Sequence, residues 1–165
     1  MRAGVITVSD KGSRGERQDL SGPLLAAGLE EMGADVVAQE IVPDEPVQIQ
    51  RRLIHLADEM GLDLIVTTGG TGGAPRDRTP EATKAVIERE MPGLAEVLRF
   101  RGYEQTPLAV LSRGVAGIRG RCLIVNLPGN PRAVAEGMDT LASILPHAVQ
   151  MIRGEDLEHE VGEDA

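Results

Sequence analysis

Apolar residues along this chain follow two rhythms. RAGVITVS (2–9), ADVVAQEIV (34–42), LDLIVTT (62–68) and RCLIVNL (121–127) are short runs rich in branched side chains, and they predict buried strands. The unbroken run in LDLIVTT is what a central parallel strand covered on both faces requires. Elsewhere the apolar positions recur at steps of three and four. Leu24, Leu25, Gly28, Leu29 and Met32 predict one helix, closed by Gly33. Ile49, Leu53, Leu56, Ala57 and Met60 share one face of a helix predicted from Gln48 to Met60, with Gly61 as its stop. Further helices are predicted from about Thr79 to Glu90 and from Leu94 to Arg101, whereas 107–118 fits no single pattern. Val134, Met138, Leu141, Leu145, Ala148 and Ile152 predict a long closing helix, with a kink or restart at Pro146.

Strands alternating with helices at this spacing predict an α/β fold with a mainly parallel sheet and right-handed crossovers. Several helix starts carry a polar residue beside a proline: Ser21-Gly22-Pro23, Asp44-Glu45-Pro46, Thr79-Pro80 and Asn130-Pro131. Proline suits the first helical turn, where its missing N–H has no helical partner. Thr79 and Asn130 read as N-caps. Each start follows a predicted strand, so these loops should line the carboxyl edge of the sheet, where open α/β sheets bind ligands.

The stretch TTGGTGGAPRDRTPEAT (67–83) concentrates chemistry on that edge. Gly69, Gly70, Gly72 and Gly73 fall within five residues and follow a predicted strand. Glycine turns freely and lets a ligand approach the backbone, and consecutive N–H groups in such turns form an anion-binding nest. The helix from Thr79 adds the positive end of its dipole. No lysine follows the glycines as a Walker loop demands, since Lys84 lies within the helix, and the dinucleotide spacing counted from Gly70 and Gly72 ends on Pro75. Asp77 is a short, hard acid suited to Mg²⁺. Arg76 is placed either to steady a phosphate oxygen or to neutralise Asp77. A second acid, Asp44, follows the second strand at the same edge, as helix cap or as a second carboxylate on one phosphate cluster. Ser9, Asp10, Asp19, Ser21 and Gly22 in one loop, and Pro128 and Gly129 in another, share that edge.

Composition narrows the classes. The 165 residues favour one domain, 1–153, followed by an acidic tail, 154–165, holding six acids and no Lys or Arg. That tail supplies most of the net charge of −9. With no basic surplus, and Phe100 and Tyr103 as its only aromatics, the chain does not read as a nucleic-acid binder. No apolar run suits a membrane span, nothing at MRAGVITVSD suggests export, and cytoplasm is the expected compartment. Cys122 heads an apolar run and reads as a buried, inert thiol. His55, His147 and His159 lack ligand spacing.

The motifs SD…GERQDLSG (9–22), VPDEP (42–46), TTGGTGGAPRDRTPEAT (67–83), PLAVLSRGVAGIRG (107–120) and LPGNPRAVAE (127–136) resemble those of the MoaB/Mog family, along roughly residues 3 to 153. The resemblance implies a three-layer α/β/α sandwich, usually a homotrimer. It implies an adenylyltransferase that moves AMP from Mg-ATP to the terminal phosphate of molybdopterin, releasing pyrophosphate before molybdenum insertion, a step that brings in a molybdenum-insertion partner protein. Asp77 and Asp44 would be its catalytic acids and would hold Mg²⁺. Gly69, Gly70, Thr71 and Gly72 would bind phosphate together with Arg76. Ser9, Asp10, Ser112, Pro128 and Gly129 would help hold pterin or nucleotide. The family also holds relatives whose transferase activity is unclear, so a molybdopterin-binding or carrier protein is the alternative reading. A further reading makes the acidic tail a recruiting segment.

Overall fold

The computed structural model describes residues 1–155; from residue 156 onward the expected acidic tail lies outside the described residues. Strands β1 (Arg2–Val8), β2 (Asp35–Val42), β3 (Leu64–Thr68), β4 (Arg89–Glu90), β5 (Ala116–Arg119) and β6 (Cys122–Leu127) form one sheet in the order β2-β1-β3-β6-β5-β4. β2, β1, β3 and β6 run parallel. β5 is antiparallel to β6 and to β4, so the sheet is mixed but mostly parallel, as expected.

Helices cover both faces. Ala3, Val5, Leu64, Val66, Leu123 and Val125 point to one side. They pack there against α2 (Ser21–Glu31), α5 (Pro92–Gln105), α6 (Pro131–Leu141) and α7 (Leu145–Ile152). Ile6, Val8, Ile65 and Ile124 point to the other, against α3 (Pro46–Ile54) and α4 (Thr79–Val86). Burial on both sides explains why β1, β3 and β6 read as unbroken apolar runs. β1 leads outward to β2, and the chain then crosses back over β1 to β3. The order of strands therefore reverses between β1 and β3, and their carboxyl ends open the crevice where such sheets bind ligands.

Several elements differ from the expected ones. The loop after β1 contains a short helix, α1 (Asp10–Ser13), because the Ser9 hydroxyl accepts the Gly12 N–H at 3.0 Å and caps it. The helix ending at Met60 stops as an α-helix at Ile54 and widens into a π-turn over His55–Glu59. The helix expected to reach Glu90 ends at Val86: Ile87 is extended, and the Glu88 N–H bonds Ile118 O at 2.8 Å, leading into β4. α5 is longer than the predicted 94–101, opening on Pro92. The ambiguous 107–118 resolves into a 3₁₀ turn, Pro107–Leu111, and strand β5. β5 returns into β6 through Gly120, whose φ of 57° suits the tight turn. The long closing helix is two, with Pro146 in the first turn of α7, the restart that a proline there favours. Cys122 is buried, and burial pushes its thiol up to about 12. No helix of the described residues is long and apolar enough to cross a membrane.

Candidate active site

The loops after β1, β2, β3 and β6 meet at the carboxyl edge around a cavity of about 510 Å³. Ser9, Asp44, Gly69, Gly70, Asp77 and Gly129 all contribute to its wall. The two acids expected to converge therefore do so. Asp77 folds back over the glycine loop. One of its oxygens accepts the Ala74 N–H at 3.0 Å, and a Cβ on Gly72 would lie 2.8 Å from that same oxygen. Its other oxygen has no hydrogen-bond partner among the described residues.

Asp44 does not cap a helix. The N-cap of α3 is Glu45, and it makes no side-chain cap bond. Asp44 is instead locked to Asp10 by a reciprocal pair: the Asp10 N–H donates to Asp44 Oδ2 at 2.9 Å, and the Asp44 N–H donates to Asp10 Oδ1 at 3.0 Å. Asp44 Oδ1 remains beside Gly70, 3.1 Å from where a Cβ there would stand. Half burial, then the charges of Asp10 and Asp77, raise the Asp44 carboxyl above the ordinary aspartate range.

Arg76 pairs with Asp10 and Glu45 rather than with Asp77. Its Nε donates to Asp10 Oδ2 at 2.6 Å, and its Nη2 donates to Asp10 Oδ1 at 3.1 Å and Glu45 Oε1 at 2.8 Å. The guanidinium holds the Asp10 carboxyl below its usual range. Both Asp10 oxygens are thus occupied within the protein.

The raised Asp44 carboxyl has a consequence for stability. A group whose pKa is higher in the folded chain than in the unfolded one binds more protons when folded. Its stabilising contribution is complete below the unfolded value and is lost as pH rises through the folded value. At neutral pH Asp44 therefore weighs against the fold. Asp44→Asn keeps an acceptor for the Asp10 N–H and removes the charge. In metal-free buffer it should melt above the wild-type chain at pH 7, with the gap closing as pH falls below the ordinary aspartate range. A variant that melts lower at pH 7 would contradict the assignment.

The glycine loop itself is strained in the sense that only glycine relieves. Gly69 has φ 99° and Gly70 φ 67°. Among the described residues the N–H groups of Gly70, Thr71, Gly72 and Gly73 have no protein acceptor, the arrangement of an anion nest. Thr79, expected as an N-cap, is the first residue of α4, because its hydroxyl donates to Gly69 O at 2.9 Å. Asn130 caps α6 as expected, accepting the Arg132 N–H at 2.8 Å. Thr68 and Ser21 hydroxyls donate to Pro128 O (2.7 Å) and Gly129 O (2.6 Å), which seats the 128–130 loop against the glycine loop.

A second cavity of about 410 Å³ lies on the other side of these loops, between α5 and α6, with an apolar floor from Leu98, Ala133 and Gly137. Thr71, Ser112 and Asn130 bring polar side chains to its wall beside Pro128. The two cavities abut along Gly70-Thr71 and Pro128-Gly129 and share Asn130.

The sequence reading missed Arg113. It grips the glycine loop from the β5 side and pairs with Glu81. The only hint was its position directly after Ser112 in the LSRG motif.

The family described as "Probable molybdopterin binding domain" matches residues 4–147. This chain belongs to the MoaB/Mog family. Among curated relatives it is 43% identical to the molybdopterin adenylyltransferase of Helicobacter pylori strain J99 over 92% of this chain and 87% of that one. It is 38% identical to the molybdopterin adenylyltransferase of Escherichia coli K12 over 93% and 86%. Its backbone is similar to the crystal structure of the molybdopterin biosynthesis enzyme MoaB from Thermus thermophilus, with a TM-score of 0.88 at 53% identity, covering 93% of this chain and 97% of that one. It is also similar to the tungsten cofactor synthesizing protein MoaB from Pyrococcus furiosus, with a TM-score of 0.84 at 39% identity, covering 92% and 96%. These MoaB/Mog structures support the α/β assignment, and the motifs at 67–83 and 127–136 are the loops that build the paired cavities.

Proposed function

We propose that this chain is a molybdopterin adenylyltransferase, transferring AMP from ATP to the terminal phosphate of molybdopterin with release of pyrophosphate. The observation that carries the reading is the meeting of Asp44, Asp77 and the glycine loop at Gly69 and Gly70 on one cavity, with the unpartnered N–H groups of Gly70, Thr71, Gly72 and Gly73 running on from it. The polar cavity takes the triphosphate. The apolar slot between α5 and α6 takes the flat pterin, and its terminal phosphate reaches the seam at Gly70-Thr71 and Pro128-Gly129. There it lies against the α-phosphorus of ATP, and one of its oxygens forms the new P–O bond as pyrophosphate leaves.

The donor set fits Mg²⁺, since Asp44 and Asp77 each keep one oxygen outside the protein's own hydrogen bonds. Among the described residues no three His, Cys, Asp or Glu side chains gather as an all-protein cage. Two carboxylates are what a small cation that keeps waters and phosphate oxygens needs. When bound, the ion would supply positive charge to phosphate oxygens. The chain's own part is to hold the two phosphates in line and to meet growing charge with backbone N–H groups.

A cytoplasmic location and a homotrimer belong to the same proposal. The chain's only two aromatics, Phe100 and Tyr103, are both exposed on α5 beside exposed Leu108, Val110 and Leu111, an apolar face available for association.

The test is pyrophosphate release by the purified chain supplied with ATP, Mg²⁺ and molybdopterin. Turnover that requires all three supports the reading. Tight molybdopterin binding with no pyrophosphate would establish the carrier function instead.

A further inference from the structure

Arg113 turns its backbone N–H and all three of its side-chain nitrogens onto one short segment. Its backbone N–H donates to Thr71 O at 2.8 Å. Its Nε donates to Gly72 O at 2.8 Å, its Nη2 donates to Asp77 O at 2.7 Å, and its Nη1 pairs with Glu81 at the start of α4. The residue sits between the 3₁₀ turn and β5, outside the loop it grips.

Three carbonyls fixed in this way have a geometric consequence. In a trans peptide the N–H that follows a carbonyl points the opposite way. Drawing the carbonyls of Thr71, Gly72 and Asp77 toward Arg113 therefore turns the N–H groups of Gly72, Gly73 and Arg78 away from it. Two of these belong to the run with no protein acceptor. A glycine loop has little stiffness of its own, so an external anchor is needed to hold such N–H groups facing one way.

We propose that Arg113 is a positioning residue for adenylyl transfer: by gripping the carbonyls of Gly72 and Asp77 and the carboxylate of Glu81, it orients the loop N–H groups and Asp77 toward the reacting phosphates. This rests on the adenylyltransferase reading. Arg113 touches no substrate in this scheme; it acts through the loop. The planar fork is essential, because one ammonium cannot meet two carbonyls and a carboxylate on separated atoms at once.

The experiment compares wild type, Arg113→Lys and Arg113→Met by kinetics and by hydrogen exchange of the ligand-free chain. The reporters are the amides bonded inside the loop: Ala74 to Asp77 Oδ2, Asp77 to Ala74 O, and Thr79 to Gly70 O. Arg113→Met should speed exchange at these amides about tenfold or more. It should lower kcat for pyrophosphate release by about 10²-fold, with KM for molybdopterin unchanged. Arg113→Lys should fall between, and it carries the comparison if the methionine variant does not fold. Faster exchange without loss of kcat, or loss of kcat without faster exchange, overturns the proposal. If wild type itself releases no pyrophosphate, the transferase reading fails, and the exchange arm alone decides whether Arg113 holds the loop.

Discussion

Replacing Asp77 by asparagine should lower pyrophosphate release by about 10²–10³-fold and leave the melting temperature close to that of wild type. Asparagine has nearly the same shape. Its side-chain oxygen can still accept the Ala74 N–H, which closes the turn at 3.0 Å. The Arg113 grip reaches Asp77 through the backbone carbonyl, at 2.7 Å, and does not depend on the side chain. What disappears is one negative charge on the cavity wall, and with it a hard oxygen for a divalent cation. The loss should appear in kcat more than in binding of molybdopterin, which the proposed function seats in the neighbouring slot. Combining it with Asp44→Asn should cost little more than either change alone, because two acids that serve one phosphate cluster act as a unit. An asparagine variant that keeps a tenth or more of wild-type turnover would remove Asp77 from the chemistry.

The sequence made this prediction reachable because of how parallel sheets are built. Asp44 and Asp77 stand 33 positions apart, yet each follows a strand of one parallel sheet, and the carboxyl ends of parallel strands lie along one edge. Local signals sufficed for that much: a run buried on both faces, a proline in the first helical turn, a cluster of glycines. The parts that stayed hidden depend on contacts distant in sequence. Nothing in residues 87–91 announces that α4 must end at Val86, since the reason is pairing of Arg89 with Ile118 on β5. The break between α6 and α7 was not hidden in this way: the apolar spacing runs on across it, but Pro146 marked the restart. Arg113 was invisible for a different reason. Its partners are mostly backbone carbonyls, which every residue carries, so no side-chain type marks the residues it grips. Likewise Arg76 stands next to Asp77 in the chain but reaches across to Asp10 and Glu45.

Gly69→Ala should destabilise the fold by about 2–5 kcal/mol, combining the cost of a left-handed backbone with that of an overpacked contact. Gly69 is where β3 ends and the cradle begins. Its φ of 99° is one that side-chain-bearing residues rarely adopt. A Cβ there would also overlap the carbonyl oxygen of Val8. That oxygen cannot retreat easily, because Val8 closes β1 in register with Val42, and the adjacent Thr7 pairs with Thr68. Gly69 is held from the other side too, its N–H donating to Leu127 O at 3.0 Å and its Cα lying 3.2 Å from where a Cβ on Gly129 would stand. Strain on this scale would lower the melting temperature by roughly 10 °C for a chain of this size. Gly73→Ala is the matched control. It lies four residues on in the same loop, its φ is not positive, and a Cβ there meets nothing within 4 Å. Its effect should stay within about 0.5 kcal/mol. If both alanine variants melt together, the close approach of β1 and β3 at the cradle is not what demands glycine. If only Gly69→Ala falls, the first glycine of the motif serves to join the sheet to the loop, and phosphate contact is left to the three that follow.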